Sequence, residues 1–331
     1  MAEDEQNNGG GERTLTVLLA LAANLVVGIL KLAAGLISGS GALLSEAAHS
    51  AGDSTTEVLL LVAQRRSGRP ADRRHPFGYG KERYFWSLLA AGAIFMSGAA
   101  FSIYQGLHTI LGGSGESKDL WINYIVLALA AVCEGISFLQ AMRQVRSQAR
   151  RRHGSMRAAV VETDDPTINS VAMEDSTALV GIVVAALGVL LHQLTGDAVY
   201  DGVASLIIGG LLLLVAFILA RTCGDLLIGK QADLELLEEV EKFLEDEDEI
   251  VDIVDVLSML TGTGRVLLCV RADFVDEFTV GEVEQACMRI DGDLREHFPV
   301  LDEIFIQPVS RDDPRIQERV RARYGRVLSD E

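Results

Sequence analysis

Long apolar stretches separated by short polar connectors fill the chain from residue 14 to residue 228. A helix needs about 20 mostly apolar residues to cross the hydrocarbon core of a bilayer. Six stretches are long and apolar enough, and they predict membrane-spanning helices at residues 14–36, 43–64, 84–112, 120–142, 167–194 and 199–221. The pattern therefore indicates an α-helical membrane protein with six transmembrane helices.

The hydrophobic pattern changes after the last apolar stretch. Residues 234–244 (LELLEEVEKFL) place apolar side chains at the i, i+3 and i+4 spacing of an amphipathic helix. Residues 249–260 and 265–274 are typical of two strands joined by the turn sequence TGTG. Residues 279–298 and 301–309 predict a second helix and a third strand. This order predicts a small α+β domain of the ferredoxin-like type.

These patterns divide the chain into four parts. Residues 1–13 are an acidic, glycine-rich tail that we expect to be disordered, and residues 14–228 are the membrane domain. Residues 229–310 are the α+β domain, and residues 311–331 are a polar C-terminal tail. The N-terminal tail has neither the apolar core of a signal peptide nor the arginine-rich character of a transit peptide, so we expect a prokaryotic plasma membrane.

The basic residues of the connectors lie on one side of the predicted membrane domain. Residues 65–83 and 143–157, which follow the second and fourth spans, are rich in arginine. Residues 112–119 and 195–201, on the opposite side, contain a single basic residue, Lys118. Because arginine and lysine accumulate in cytoplasmic loops, both termini are expected to be cytoplasmic.

Composition excludes several classes of function. The 331 residues include 47 acidic and 29 basic side chains, for a formal net charge of -18, which excludes a protein that holds nucleic acid by its phosphates. The four cysteines are far apart and form no CxxC pair, so neither a zinc knuckle nor a disulfide framework is expected. The chain contains no GxxxxGK[ST] or HExxH motif, which argues against a nucleotide-driven pump and an intramembrane metallohydrolase.

His49 and Asp53 are two of the polar residues in the second predicted span. Four positions separate them, so they share one face of a helix. A charged side chain at bilayer depth costs at least about 2.5–3.5 kcal/mol, which makes such residues functional candidates. An imidazole nitrogen beside a carboxylate suits Zn²⁺ and its divalent neighbours. We interpret the pair as metal ligands; the alternative is a hydrogen-bonded pair that only packs helices.

The fifth predicted span carries two adjacent carboxylates, Glu174 and Asp175. Adjacent residues point about 100° apart on a helix, so one can face the second span fully while the other only reaches toward it. With His49 and Asp53 they complete a candidate metal site in which protons and metal compete for the same groups. The alternative is a polar helix start near the membrane interface.

At this point the residues resemble a known family. Residues 24–54 (NLVVGILKLAAGLISGSGALLSEAAHSAGDS) and 73–86 (RRHPFGYGKERYFW) are similar to the cation diffusion facilitators, and the resemblance covers about residues 14–310. The segment EDSTALVG, at residues 174–181, resembles the branch of mitochondrial zinc transporter nine and its prokaryotic relatives. The resemblance implies a homodimer with packed cytoplasmic C-terminal domains that exports Zn²⁺ or a similar cation, driven by inward protons.

The resemblance places His49 and Asp53 on the two family ligands of the second span. The usual second ligand pair of the fifth span is missing. Counting back from the following glycine aligns Asp175 with the usual carboxylate and Val171 with its partner. A shift of one position offers Ser170 with Glu174 instead, and both alignments remain open.

Two further groups follow from the resemblance. The cytoplasmic loop retains Asp72 and His75 of a possible second metal site, with Tyr79 at the third position, and a structural role for this loop is the alternative. Lys81 resembles a family lysine that forms an ion pair near the base of the sixth span, for which Asp225 is the nearest acid.

The expected function is efflux of a divalent metal cation, with Zn²⁺ as the first choice, by proton antiport with alternating access in a homodimer. The cation is the transported substrate, and no prosthetic group is expected. The missing ligand pair of the fifth span motivates one alternative, a non-transporting membrane subunit or scaffold with a degenerate metal site.

Overall fold

The computed structural model describes residues 21–22, 24–112, 120–151 and 166–324. The tail predicted at residues 1–13 lies outside these ranges. The described chain forms two compact units. The first unit contains the described residues up to Arg65 and those from Arg83 to Gly224, and the second contains residues 66–82 and those from Asp225 onward.

The first unit is built from long helices. Their bounds are α1 (Asn24–Ser38), α2 (Gly41–Ser67), α3 (Glu82–Gly112), α4 (Leu120–Arg151), α5 (Pro166–Thr195) and α6 (Val199–Ile228). A π-helical segment, Ile94–Ala100, interrupts the α-helical pattern of α3. The shared core contains many alanines, including Ala91, Ala130 and Ala185, and small residues of this kind let helix backbones approach closely.

Four of the described helices are long and apolar enough to cross a membrane: Glu82–Gly112, Trp121–Gln140, Met173–Thr195 and Val199–Ile228. They confirm the last four predicted spans. The described apolar part of the first predicted span, Asn24–Ser38, is shorter. Helix α2 has 27 residues, but its acidic side chains make it more polar than the four long apolar helices.

Asp201 determines where α2 begins. The chain turns at Gly39, whose φ of +72° favours glycine, and then enters the helix. The buried Asp201 carboxylate, at the start of α6, accepts hydrogen bonds from the Ser40 hydroxyl at 2.6 Å and from the backbone N–H groups of Gly41 and Ala42. Because these N–H groups have no partner within the helix, the carboxylate caps α2. The N-terminal end of α2 is therefore anchored to α6.

The second unit contains the predicted α+β elements. They are α7 (Leu234–Glu245), β1 (Ile250–Gly262), β2 (Arg265–Phe274), α8 (Val280–His297), β3 (Leu301–Pro308) and α9 (Pro314–Tyr324). The sheet order is β1-β2-β3, with β1 antiparallel and β3 parallel to β2. The parallel pair requires a crossover, which α8 supplies. The predicted helix–strand–strand–helix–strand order is confirmed.

Local sequence explains these elements. Every second residue of β2, from Val266 to Phe274, is buried, as expected for a strand with one face on the core. Asp233 caps α7, and Thr279 forms a capping box with Glu282 at the start of α8. Within the predicted polar tail, residues 314–324 form α9, while residues 325–331 lie outside the described ranges.

Candidate metal site

His49 and Asp53 come together on one face of α2. The His49 side chain is almost completely buried, and its Nε2 atom lies 3.3 Å from Asp53 Oδ1. Within the described part of the chain, Nδ1 and Nε2 of His49 and Oδ1 of Asp53 are buried without a hydrogen-bond partner. Buried polar atoms normally have a partner, so this pair is suited to a ligand.

Glu174 and Asp175 have different surroundings on α5. Asp175 Oδ2 accepts a hydrogen bond of 2.9 Å from the Ser137 hydroxyl on α4. Glu174 is 7% exposed, and its Oε1 atom has no hydrogen-bond partner among the described residues. Glu174 also lies within electrostatic range of Asp53. Of these two carboxylates, Glu174 is thus the one with a buried oxygen that has no partner among the described residues.

The four side chains do not form a closed coordination sphere. Among the described residues, no three side chains of His, Cys, Asp or Glu lie close enough together to hold a metal ion. The structure brings His49 and Asp53 into contact, and it places Glu174 within electrostatic range of Asp53 rather than at ligand distance. The alternative positions Ser170 and Val171 belong to α5, but their side chains lie outside the described set.

A buried ion cluster next to this site was missed in the sequence. Lys31 of α1 is fully buried, and its Nζ atom lies 3.1 Å from Glu46 Oε2 and 2.9 Å from the Ser50 hydroxyl on α2. Glu134 Oε1, on α4, lies 3.9 Å from the same nitrogen. Ser50 directly follows His49, so the cluster joins three helices beside the candidate ligand. The sequence contained a signal for this cluster, because Lys31 and Glu134 are charged residues within the predicted first and fourth spans.

Gly181 allows α5 to approach this cluster. A Cβ atom at Gly181 would clash with Glu46 Oε1, on α2. Any larger residue at position 181 would require the Glu46 carboxylate to move. The residue that served as an alignment landmark in the sequence is therefore also a packing position between the two helices that carry the candidate ligands.

Glu57, one turn past Asp53 on α2, has a specific partner on α1. Its Oε1 atom accepts a hydrogen bond of 2.7 Å from Asn24 Nδ2 on α1. The other carboxylate oxygen, Oε2, is buried with no hydrogen-bond partner in the described chain. This carboxylate faces the same helix interior as Asp53, Glu174 and Asp175, with which it interacts electrostatically.

The loop between α2 and α3 forms an ordered turn around Asp72. Asp72 Oδ1 accepts hydrogen bonds from the backbone N–H groups of His75 and Arg74, at 2.7 and 2.8 Å, and Oδ2 accepts one of 2.8 Å from the Tyr79 hydroxyl. The His75 N–H contributes most to holding the pKa of Asp72 below its ordinary value. His75 Nδ1 lies 3.6 Å from Asp72 Oδ1, and both side chains are about half exposed. The contacts are those of a loop-stabilising turn.

Lys81 has a different neighbour from the expected one. Its Nζ atom lies 3.4 Å from the Met259 sulfur on β1. Within the described ranges, no ion pair joins Lys81 to Asp225. The backbone beside Lys81 packs tightly, because a Cβ atom at Gly80 would clash with the Thr261 carbonyl. Close backbone packing therefore holds the Lys81 segment against the β1–β2 hairpin within the second unit.

Comparison with known proteins agrees with this architecture. The family model described as the cation efflux transmembrane domain matches residues 17–228. The chain is 33% identical over 258 residues to the human proton-coupled zinc antiporter SLC30A9, mitochondrial, and this match covers 78% of the chain and 45% of the human protein. The chain thus spans less than half the length of that relative.

Two further relatives come from a plant and a bacterium. Identity to metal tolerance protein C4 of Arabidopsis thaliana is 30% over 276 residues, covering 83% of this chain and 60% of the relative. Identity to the manganese efflux system protein MneP of Bacillus subtilis is 23% over 295 residues, covering 87% of this chain and 93% of the relative. The family comprises transporters rather than enzymes. The chain belongs to the cation diffusion facilitator family of multi-pass membrane transporters.

Proposed function

We propose that this protein exports a divalent metal cation, with Zn²⁺ as the preferred substrate, in exchange for protons. The observation that carries the proposal is the set of unpaired ligand atoms on His49, Asp53 and Glu174, buried inside the helix bundle. Burying polar atoms without partners is costly, and a bound cation would offset that cost. Two relatives bear names of a proton-coupled zinc antiporter and a manganese efflux protein, which supports cation export.

The donor atoms favour Zn²⁺ over harder ions. An imidazole nitrogen with carboxylate oxygens is a frequent ligand set for zinc, whereas Mn²⁺ and Mg²⁺ prefer oxygen alone. His49 supplies the nitrogen, and Asp53 and Glu174 supply oxygens. Protons bind the same atoms as the metal, so release of one favours uptake of the other. Competition at these atoms is the basis of the proposed exchange.

Transport requires the site to face each side of the membrane in turn. His49 and Asp53 are already in contact on α2, so movement of Glu174 on α5 toward or away from them would complete or open the coordination. The glycine at position 181 keeps the contact between α2 and α5 close enough for such sliding. Rocking of helix groups around a fixed central site is a common form of alternating access.

The proposal includes the arrangement of the protein in the membrane. Six spans within residues 14–228 place both termini in the cytoplasm, because the arginine-rich connectors are cytoplasmic. Residues 229–310 form a cytoplasmic ferredoxin-like domain through which two copies associate. A prokaryotic plasma membrane is the proposed location.

Zn²⁺ uptake into liposomes with an acidic interior tests the function directly. We expect uptake by the wild-type protein that stops when the pH gradient is dissipated. Glu174→Gln is expected to reduce this uptake by about tenfold or more. Loss of a group that only orients a metal ligand already lowers affinity or activity by about 10–100-fold, and loss of a ligand itself should cost at least as much. Asp175→Asn is the matched control and should reduce uptake less, since the Asp175 carboxylate is bound to Ser137.

The two variants also decide between the readings left open by the sequence. A larger loss in Asp175→Asn than in Glu174→Gln would contradict the assignment of Glu174 as ligand. Absence of uptake for Zn²⁺, Mn²⁺, Fe²⁺ and Co²⁺ by well-folded wild-type protein would favour the non-transporting subunit instead.

A change of ligand type at position 49 tests the metal preference. His49→Asp replaces the nitrogen donor with oxygen, so we expect the ratio of Mn²⁺ to Zn²⁺ uptake to increase by about tenfold. Uptake of both ions is measured in the same vesicles under the same pH gradient. His49→Asn, which removes the nitrogen donor without adding charge, serves as the comparison. An unchanged ratio in His49→Asp would argue that His49 is not a ligand.

A further inference from the structure

Of the two carboxylate oxygens of Glu57, one accepts a hydrogen bond and the other has no hydrogen-bond partner among the described residues. Glu57 lies four residues after Asp53, so the two carboxylates occupy the same face of α2, one turn apart. Asn24 on α1 donates a hydrogen bond of 2.7 Å to Glu57 Oε1 and so orients the carboxylate. The other oxygen, Oε2, is buried and has no hydrogen-bond partner in the described ranges. The arrangement presents one oriented, unpaired oxygen to the helix interior.

Glu174 presents a second unpaired oxygen to the same region. More than nine-tenths of this side chain is buried, and its Oε1 atom has no hydrogen-bond partner within the described chain. Glu174 interacts electrostatically with both Glu57 and Asp53, so the three carboxylates share one part of the bundle. Like charges repel strongly where the dielectric is low. A divalent cation between Glu57 and Glu174 would reverse that repulsion.

We propose that Glu57 and Glu174 form an all-carboxylate cation station, separate from the His49–Asp53 pair and nearer to the C-terminal end of α2. This inference rests on the proposed transport function. Carboxylate oxygens bind hard divalent ions such as Mn²⁺. Under the topology expected from the arginine-rich loops, the station lies on the cytoplasmic side, so a cation meets it before it reaches His49. Glu174 then contributes both to this station and to the site of His49 and Asp53, and passes the ion from one to the other.

A structural role for Glu57 makes a different prediction. If its hydrogen bond to Asn24 only ties α1 to α2, a glutamine in its place would serve equally well. Glutamine has nearly the same size, and its carbonyl oxygen accepts the same hydrogen bond. Glu57→Gln therefore removes the negative charge while it retains the contact between the helices. A loss of cation binding in this variant reports ligation rather than packing.

Mn²⁺ binding to the full-length protein in detergent tests the station, with free Mn²⁺ measured by electron paramagnetic resonance. Glu57→Gln is expected to raise the apparent Kd for Mn²⁺ by about tenfold or more. Asp53→Asn should change this Kd less, since Asp53 belongs to the other pair. Thr55→Ala, an exposed position on the same helix, is the control and should match the wild-type protein. Wild-type Mn²⁺ affinity in Glu57→Gln would overturn the proposal.

A second substitution and a second measurement distinguish loss of a ligand from misfolding of the variant. Glu57→Asp keeps the charge on a shorter side chain, so it should bind Mn²⁺ more tightly than Glu57→Gln; equal or weaker binding would contradict ligation. In vesicles, Glu57→Gln should raise the Zn²⁺ concentration for half-maximal uptake by about tenfold. Binding through Glu57 without any transport would refute the proposed function and leave the station intact. If the wild-type protein transports Zn²⁺ and Glu57→Gln changes neither binding nor uptake, the station is refuted and the proposed transport function stands.

Discussion

Replacing Asp53 with asparagine is expected to reduce gradient-driven Zn²⁺ uptake by about 100-fold or more. Groups that merely orient a metal ligand contribute 10–100-fold to metal affinity, and a ligand should contribute at least as much. Asparagine has the same shape as aspartate, so the packing of α2 is preserved and only the negative charge is lost. The site would then lack both the attraction for a dication and a group that can carry a proton.

The measurement combines uptake with binding. Zn²⁺ uptake into liposomes with an acidic interior gives the rate, and calorimetric titration of the same purified variant gives the affinity. Asp276→Asn, at an exposed position in the second unit, is the matched control for the chemical change and should behave as the wild-type protein. If Asp53→Asn retained more than about a tenth of the wild-type uptake, Asp53 would not be a ligand of the transported ion.

Replacing Lys31 with methionine is expected to lower the free energy of unfolding by about 3–5 kcal/mol. The side chains are of similar length, so the loss comes mainly from charge. Without Lys31, the buried carboxylates of Glu46 and Glu134 have lost the cation that lies 3.1 and 3.9 Å from them. Removal of one partner from a buried ion pair leaves an uncompensated charge, which costs more than the intact pair contributes.

A compensating substitution tests this explanation. Lys31→Met combined with Glu46→Gln removes both members of the pair, so it should be considerably more stable than the sum of the two single substitutions predicts. Stability is measured by denaturation of the purified protein in detergent. Lys242→Met, at an exposed position on α7, should change stability by no more than about 1 kcal/mol. Additive losses in the double variant would show that Lys31 and Glu46 act independently.

Features that depend on neighbouring residues could be predicted from the sequence. The proximity of His49 and Asp53 follows from helical periodicity alone, because four residues make about one turn. The three strands and two helices of residues 234–308 follow from alternation, periodicity and capping residues, and the structure confirms them. Family resemblance to the cation diffusion facilitators was equally local, since it depended on two uninterrupted segments of sequence.

Features that depend on distant residues could not be predicted in the same way. Nothing local to Glu57 shows that Asn24, 33 positions earlier, donates a hydrogen bond to it. The difference between Glu174 and Asp175 arises from Ser137 on another helix, 38 positions before Asp175. The neighbour of Lys81 is Met259, 178 positions away, rather than the acid that the resemblance suggested.

The sequence by itself determined that this protein crosses a membrane, carries a histidine–carboxylate pair on one helix face and belongs to a family of cation transporters. Hydrophobicity and helical periodicity act over a few residues, so they can be read without the fold. Only the tertiary structure decided which buried charges are neutralised and which ligand atoms are left unpaired. Lys31 engages Glu46, whereas Glu57 and Glu174 each retain an unpaired oxygen. The reason is that pairing in a membrane interior depends on contacts between helices, which no single segment of the chain contains.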